Sequence, residues 1–165
     1  MAAYYNEFDP FAAAWLRELI RRGLIAPGDV DERSIEDVQA TDLMGYAQCH
    51  FFAGIGTWSY ALRQAGWPDD RPVWTGRPPC QPFSNAGQQK GYDDERHLAP
   101  KWLSLVSECR PPVVFGEQVA SAFTNKNHHW IDDLQDELEA QDYAVGKIVL
   151  PACSIGAPPI RQRGW

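Results

Sequence analysis

Cys80 is the residue whose setting most favours chemistry. It lies in Pro78-Pro79-Cys80-Gln81-Pro82-Phe83-Ser84, directly after the apolar run Val73-Trp74-Thr75. That run reads as a strand, and the two prolines end it and bar a helix from starting there. A polar, glycine-bearing loop from Asn85 to Gly91 follows. A thiol fixed at the carboxyl end of a strand suits covalent catalysis when nearby positive charge brings its pKa toward ambient pH. A lone cysteine is more often a small buried hydrophobe, so the company it keeps decides. The first companion is Phe52-Ala53-Gly54-Ile55-Gly56, set between a strand and a helix. Glycines there let a ligand approach the backbone, and the helix N-terminus offers free amides. The same segment could equally be a tight strand–helix turn that binds nothing.

These residues need elements to position them. The pattern predicts short strands at Ala2–Tyr5, Cys49–Phe52, Val73–Thr75, Val113–Phe115 and Tyr143–Leu150. Helices are expected at Ala12–Arg22, Thr57–Ala65, Leu98–Cys109 and Trp130–Gln141, the first capped by Asp9 with Pro10 at its first position. Trp15, Leu16, Leu19 and Ile20 form the expected buried face of that first helix, and Leu98, Trp102, Leu105, Val106 and Cys109 that of the third. Gly28-Asp29-Val30 reads as a turn into an extended piece, Ser34–Asp37 and Asp42–Tyr46 as helical turns, and Gly156–Trp165 as loop. Strands alternating with helices argue for a mostly parallel sheet with helices on both faces.

With 165 residues, the chain is the length of one domain. No apolar run is long enough to span a bilayer, and the N-terminus lacks a secretory pattern. Cys49, Cys80, Cys109 and Cys153 are widely spaced and form no C-x-x-C pair, so they read as reduced thiols in a cytoplasm. His97, His128 and His129 have no ligand spacing, and no metal is expected. The net charge of −7 is the wrong sign for holding nucleic acid by bulk electrostatics. A nucleic-acid role therefore needs a local basic patch, drawn from Arg77, Lys90, Arg96, Lys101, Arg161 and Arg163, or a basic partner.

Taken together, the residues resemble the cytosine-5 DNA methyltransferase family. Phe52 to Gly56 is similar to its cofactor-binding glycine loop, and Pro79-Cys80-Gln81 to its nucleophile motif. Asp94-Glu95-Arg96-His97-Leu98, Phe115-Gly116-Glu117-Gln118-Val119 and Arg161-Gln162-Arg163 resemble three further motifs, in the family's order. Gln118 stands where the family has asparagine, and Pro159 where glutamine is common. The acidic residues that should lie between the glycine loop and the cysteine are missing there. Tyr5-Asn6-Glu7-Phe8-Asp9-Pro10 and Gly28-Asp29-Val30 resemble that pair, so the order is expected to be circularly permuted. Residues 1–48 would then be the adenosine-binding units, and 49–165 would carry the glycine loop, nucleophile and base-binding motifs, with no target-recognition domain.

The resemblance implies a Rossmann-like S-adenosylmethionine-dependent fold, permuted and C-terminally short, in a bacterial or phage-type cytoplasmic protein. It implies methyl transfer to C5 of a flipped cytosine in DNA. Cys80 would add to C6 and Glu117 would serve N3, its proton affinity raised by burial. Arg161 and Arg163 would hold O2. Glu7 would take the ribose hydroxyls, Phe8 would stack on adenine, and Asp29 would take the adenine amino group. Val30, Pro79 and Phe52-Ala53-Gly54-Ile55-Gly56 complete the expected cofactor set, and Gln81, Ser84 and Arg96 the substrate set. Two other readings stay open. One is a non-catalytic or partner-dependent binding module, with a second chain supplying target recognition. The other is an enzyme that methylates RNA or a free nucleotide.

Overall fold

The structure, a computed structural model, describes residues 2–78, 98–120, 130–155 and 162–165. The chain divides into two compact units, Met1–Pro78 with Leu98–Gly116, and Pro79–His97 with Glu117–Trp165.

The first unit is built on β1 (Ala3–Asn6), α1 (Pro10–Arg21), β2 (Gly28–Asp31), β3 (Gln48–Phe51), α2 (Thr57–Gln64), β4 (Val73–Gly76), α3 (Ala99–Cys109) and β5 (Val114–Gly116). The five strands form one sheet in the order β2-β1-β3-β4-β5, every neighbouring pair parallel. Two 3-10 turns join β2 to β3: Ile35–Asp37, within the expected Ser34–Asp37, and Ala40–Leu43, which begins two residues before the expected Asp42–Tyr46 and ends three residues before its end. Asp9 caps α1, its carboxylate accepting from Ala12 N at 2.8 Å, and Pro10 opens the helix.

Side chains alternate across the pleat. Tyr5, His50 and Thr75 share one face by register, and Tyr4, Asn6, Asp31, Phe51 and Gly76 the other. The core under α1 joins Leu16 to Ala3, Tyr5, Ile25, Ala26 and Ala53. Tyr5 and Ser59, on α2, meet at 2.9 Å on the same face. Trp102 of α3 covers Gly76 on the opposite face. Helices thus lie on both faces, as expected. Trp15, expected in the core, is 46% exposed, because the buried stripe of α1 centres on Ala13 and Leu16 and Trp15 sits about 100° away from Leu16. Cys109 is half-buried, while Leu103 joins the core instead.

The paths of α1 and α2 have a topological consequence. The β1-α1-β2 connection runs to one side of β1, and β3-α2-β4 runs to the other side of β3. Yet both helices lie on the same face. The two crossovers therefore have opposite hands, although about 98% of such connections are right-handed.

A buried polar relay lies beneath α2. Gln48 Nε2 donates to Pro68 O at 3.0 Å, which leaves Gln48 Oε1 to accept from His50 Nε2 at 3.2 Å. His50 Nδ1 then accepts from the Thr75 hydroxyl at 2.8 Å, and the ring stacks on Tyr5. Burial holds the His50 pKa down to about 3. The unfolded chain takes up this proton near pH 6.5, and the folded chain takes it up only near pH 3. Stability from this group is therefore full above pH 6.5 and declines as pH falls toward 3. At pH 4.5 the loss should be roughly 2–3 kcal/mol. Urea unfolding at pH 7 and 4.5 should show that loss, and His50→Gln should flatten it. An equal pH slope in both chains would mean that other groups carry it.

The second unit contains β6 (Gln118–Val119), α4 (Trp130–Glu139), β7 (Val149–Pro151) and β8 (Gln162–Gly164). The strands form an antiparallel sheet in the order β6-β8-β7. The expected long strand Tyr143–Leu150 pairs only from Ile148 onward. Its partner β8 has just three residues, and the ladder ends where Ile148 and Trp165 exchange hydrogen bonds of 3.0 and 2.8 Å. Part of the expected C-terminal loop is β8 itself. Its polar Gln162-Arg163-Gly164 has weak strand propensity, and the pairing on both edges makes it a strand.

Candidate active site

The loops after β1 and β3 lie where the strand order reverses, the usual ligand crevice of an open parallel sheet. Here Glu7 joins them. One carboxylate oxygen accepts from Gly54 N at 2.6 Å and the other from Asp9 N at 3.0 Å. Ala53 N donates to Asn6 O at 3.0 Å, closing the same joint. The glycine loop turns into α2 through Gly56 at φ 79°, where a Cβ would lie 3.1 Å from Leu16 and 3.2 Å from Leu19. A side chain there would be strained twice, by backbone and by packing. Phe52 also takes a left-handed φ of 53°. Phe8 is 72% exposed, and Ile55 is exposed as well. Phe8 follows Glu7 in sequence and Ile55 follows Gly54, so each exposed apolar residue adjoins one partner of that hydrogen bond.

Asp29 and Val30 stand elsewhere in β2. Asp29 pairs in register with Tyr4, in the first half of the strand, and its carboxylate accepts from the Tyr46 hydroxyl at 2.8 Å. Val30 packs against the core under α1. The acidic residue level with the end of β1 is Asp31, which pairs with Asn6. Sequence reasoning missed it. Asp31 accepts from Tyr4 at 2.7 Å and from Arg33 at 2.7 Å, and its main-chain oxygen accepts from Glu7 N at 3.0 Å. Arg33 and Tyr4 hold its carboxyl below the usual range against the opposing effect of burial. The Asp-x-Arg spacing in Asp31-Glu32-Arg33 was the available signal.

In the second unit, Glu117 and Arg163 come together. Val119 and Arg163 are cross-strand partners, so Glu117, two residues back, lies diagonal to Arg163 on the same face. Arg163 Nε donates to Glu117 Oε1 at 2.6 Å, with both side chains largely buried. Glu117 thus has a cationic partner beyond the burial that sequence reasoning assigned it. Gln118, also buried, accepts from Val119 N with its own Oε1 at 2.9 Å. The candidates Pro79, Cys80, Gln81, Ser84, Arg96 and Arg161 lie outside the described residues. No helix among the described residues is long and apolar enough to cross a membrane.

Both the fold and part of the sequence have counterparts among known proteins. A solved structure assigned as a prophage-encoded DNA modification methyltransferase of E. coli shares the fold, with a TM-score of 0.53. It is 20% identical, and the match covers 99% of this chain and 45% of that one. The type II methyltransferase M.AplI of Arthrospira platensis is 34% identical over 91 residues, 55% of this chain and 26% of its own length. M.HhaI of Haemophilus parahaemolyticus is 35% identical over 86 residues, 52% of this chain and 26% of its own. The chain thus spans about a quarter of the length of these curated relatives. Residues 67–165 match the family model of C-5 cytosine-specific DNA methylases, and the chain belongs to that family.

Proposed function

We propose that this chain binds S-adenosylmethionine at the Glu7–Gly54 joint and transfers its methyl group to C5 of cytosine in DNA. The observation that carries the reading is that joint: a carboxylate, a glycine loop and an exposed Phe8 meet where the strand order reverses. Glu7 would hold the ribose hydroxyls, and Phe8 would cover the adenine. Asp29 would reach the adenine amino group only while shared with Tyr46. When bound, the cofactor supplies an electrophilic methyl group.

The remaining chemistry belongs to side chains. Cytosine C5 is a weak nucleophile. Addition of the Cys80 thiolate to C6 pushes the ring π electrons toward C5 and makes it nucleophilic. Glu117, held by Arg163, would serve N3, and Arg163 with Arg161 would face O2, where arginine can only donate. Once C5 carries the methyl group, a solvent water takes the C5 proton, the C5–H electron pair re-forms the C5–C6 double bond, and the C6–S bond breaks to release the Cys80 thiolate.

The permuted order is part of the same proposal. With residues 1–48 as the second and third units and 49–165 as the first and later ones, the strand order β2-β1-β3-β4-β5 is 3-2-1-4-5 in unpermuted terms. The opposite hands of the two crossovers support it, because a helix that once led back toward β1 now leads on to β4. The acidic net charge favours a second, partner-dependent reading, in which a basic chain supplies the DNA contact. Isothermal titration of S-adenosylmethionine and S-adenosylhomocysteine into the purified chain tests the cofactor site. Saturable binding is the expected result, and no heat at millimolar ligand would overturn it.

A further inference from the structure

Asn6, the last residue of β1, ties together the chain segments that leave the sheet on either side of Glu7. Its main-chain oxygen accepts from Ala53 N, in the glycine loop, at 3.0 Å. Its side-chain Nδ2 donates to Arg33 O at 2.9 Å and lies 3.4 Å from Asp31 O. The β1–β2 ladder ends with Asn6 opposite Asp31, and Glu7 N adds one bond to Asp31 O at 3.0 Å. The Asn6 amide then carries the attachment two residues beyond the ladder, to Arg33. The side chain is buried. A buried amide is costly unless it is bonded, and here its NH2 group is what binds the segment after β2. A carboxylate in its place could only accept, and an apolar side chain could do neither.

We propose that Asn6 is a positioning residue for the cofactor site. β1 lies between β2 and β3, so the segments that follow those two strands flank Glu7. The main chain of Asn6 holds the glycine loop on one side, and its side chain holds residues 31–33 on the other. The spacing of these two walls is thereby fixed from a single residue, next in sequence to the carboxylate that takes the ribose. A ligand seated on Glu7 meets both walls only at that spacing. This inference rests on the cofactor reading above.

The test compares Asn6→Leu and Asn6→Asp with the unsubstituted chain, using S-adenosylhomocysteine as the probe. Both substitutes keep nearly the size and branching of asparagine, and both leave the main-chain bond to Ala53 available. Both remove the donor, and only aspartate adds a charge beside Glu7. Calorimetry separates positioning from mere support of the fold. Loss of support lowers the fraction of chains that can bind, read as stoichiometry, and leaves the Kd of the folded chains unchanged. Loss of positioning raises that Kd. The Kd should rise about 3- to 10-fold in both variants, the worth of one hydrogen bond. A rise in only one variant would trace to its charge or its apolarity rather than to the lost donor, and would overturn the proposal. An unchanged Kd in both would overturn it too. A second measurement uses the unsubstituted chain alone. Bound ligand should slow amide hydrogen exchange at residues 31–34 as well as at 53–56. Unchanged exchange at 31–34 on saturation would show that the segment after β2 does not face the ligand, and would overturn the proposal. Failure of the unsubstituted chain to bind the probe would instead remove the cofactor reading, and this inference with it.

Discussion

Cys80→Ser should abolish methyl transfer while leaving S-adenosylhomocysteine affinity unchanged. The expected loss is on the order of 10⁴-fold or more, as for other enzymes stripped of their nucleophile. A serine hydroxyl is not ionised near neutral pH and has no partner base in this scheme. A cysteine thiol reaches its reactive form within a few units of ambient pH. The decisive measurement uses a duplex with fluorine at C5 of the target cytosine, mixed with S-adenosylmethionine. Thiolate addition and methylation can proceed on that base. The closing step is blocked, since fluorine does not leave as a proton does. The unsubstituted chain should stay joined to the DNA on a denaturing gel, and the serine variant should not. A variant that still transfers methyl at a comparable rate would remove Cys80 from the mechanism. A cysteine chain that forms no adduct alone, and forms one once a basic partner is added, would select the partner-dependent reading.

What could be read from the residues depended on how local the interactions were. The α1 cap was legible because Asp9, Pro10 and Ala12 are neighbours in sequence. The strands β1, β3 and β4 were legible as apolar runs bounded by turn residues. Glu7 was singled out only through the resemblance of Tyr5-Asn6-Glu7-Phe8-Asp9-Pro10 to the family's acidic unit, because its bond to Gly54 spans 47 residues and shows in no local pattern. Asp31 was missed for the reverse reason. Its role depends on register with Asn6, and the neighbouring Gly28-Asp29-Val30 carried the stronger resemblance. The strand at Gln162–Gly164 was missed because its residues favour solvent, and only pairing with Gln118–Val119 and Val149–Pro151 extends them. The Glu117–Arg163 contact follows from that pairing. The two residues were named separately in sequence, and the antiparallel ladder makes them a pair.

The second large effect concerns Glu7. Glu7→Ala should weaken S-adenosylhomocysteine binding on the order of 100-fold, about 2.7 kcal/mol. Two losses combine. The ribose diol loses its charged acceptor, and Gly54 N and Asp9 N lose the carboxylate that fixes the glycine loop against β1. Charge-assisted hydrogen bonds are worth roughly 1.5–3 kcal/mol each, so one such bond to the ligand accounts for most of the effect. Glu7→Gln separates the two parts. It keeps one acceptor oxygen but gives up the charge and turns an NH2 toward one of the two amides, so a loss near tenfold is expected. Asp29→Ala should cost less than Glu7→Ala, because the Asp29 carboxylate is shared with the Tyr46 hydroxyl and stands back from the end of β2. Titration calorimetry on the three variants gives the ranking. Equal affinity in Glu7→Ala and the unsubstituted chain would place the cofactor away from the strand-order reversal. A larger loss in Asp29→Ala than in Glu7→Ala would shift the site along β2 toward Tyr46.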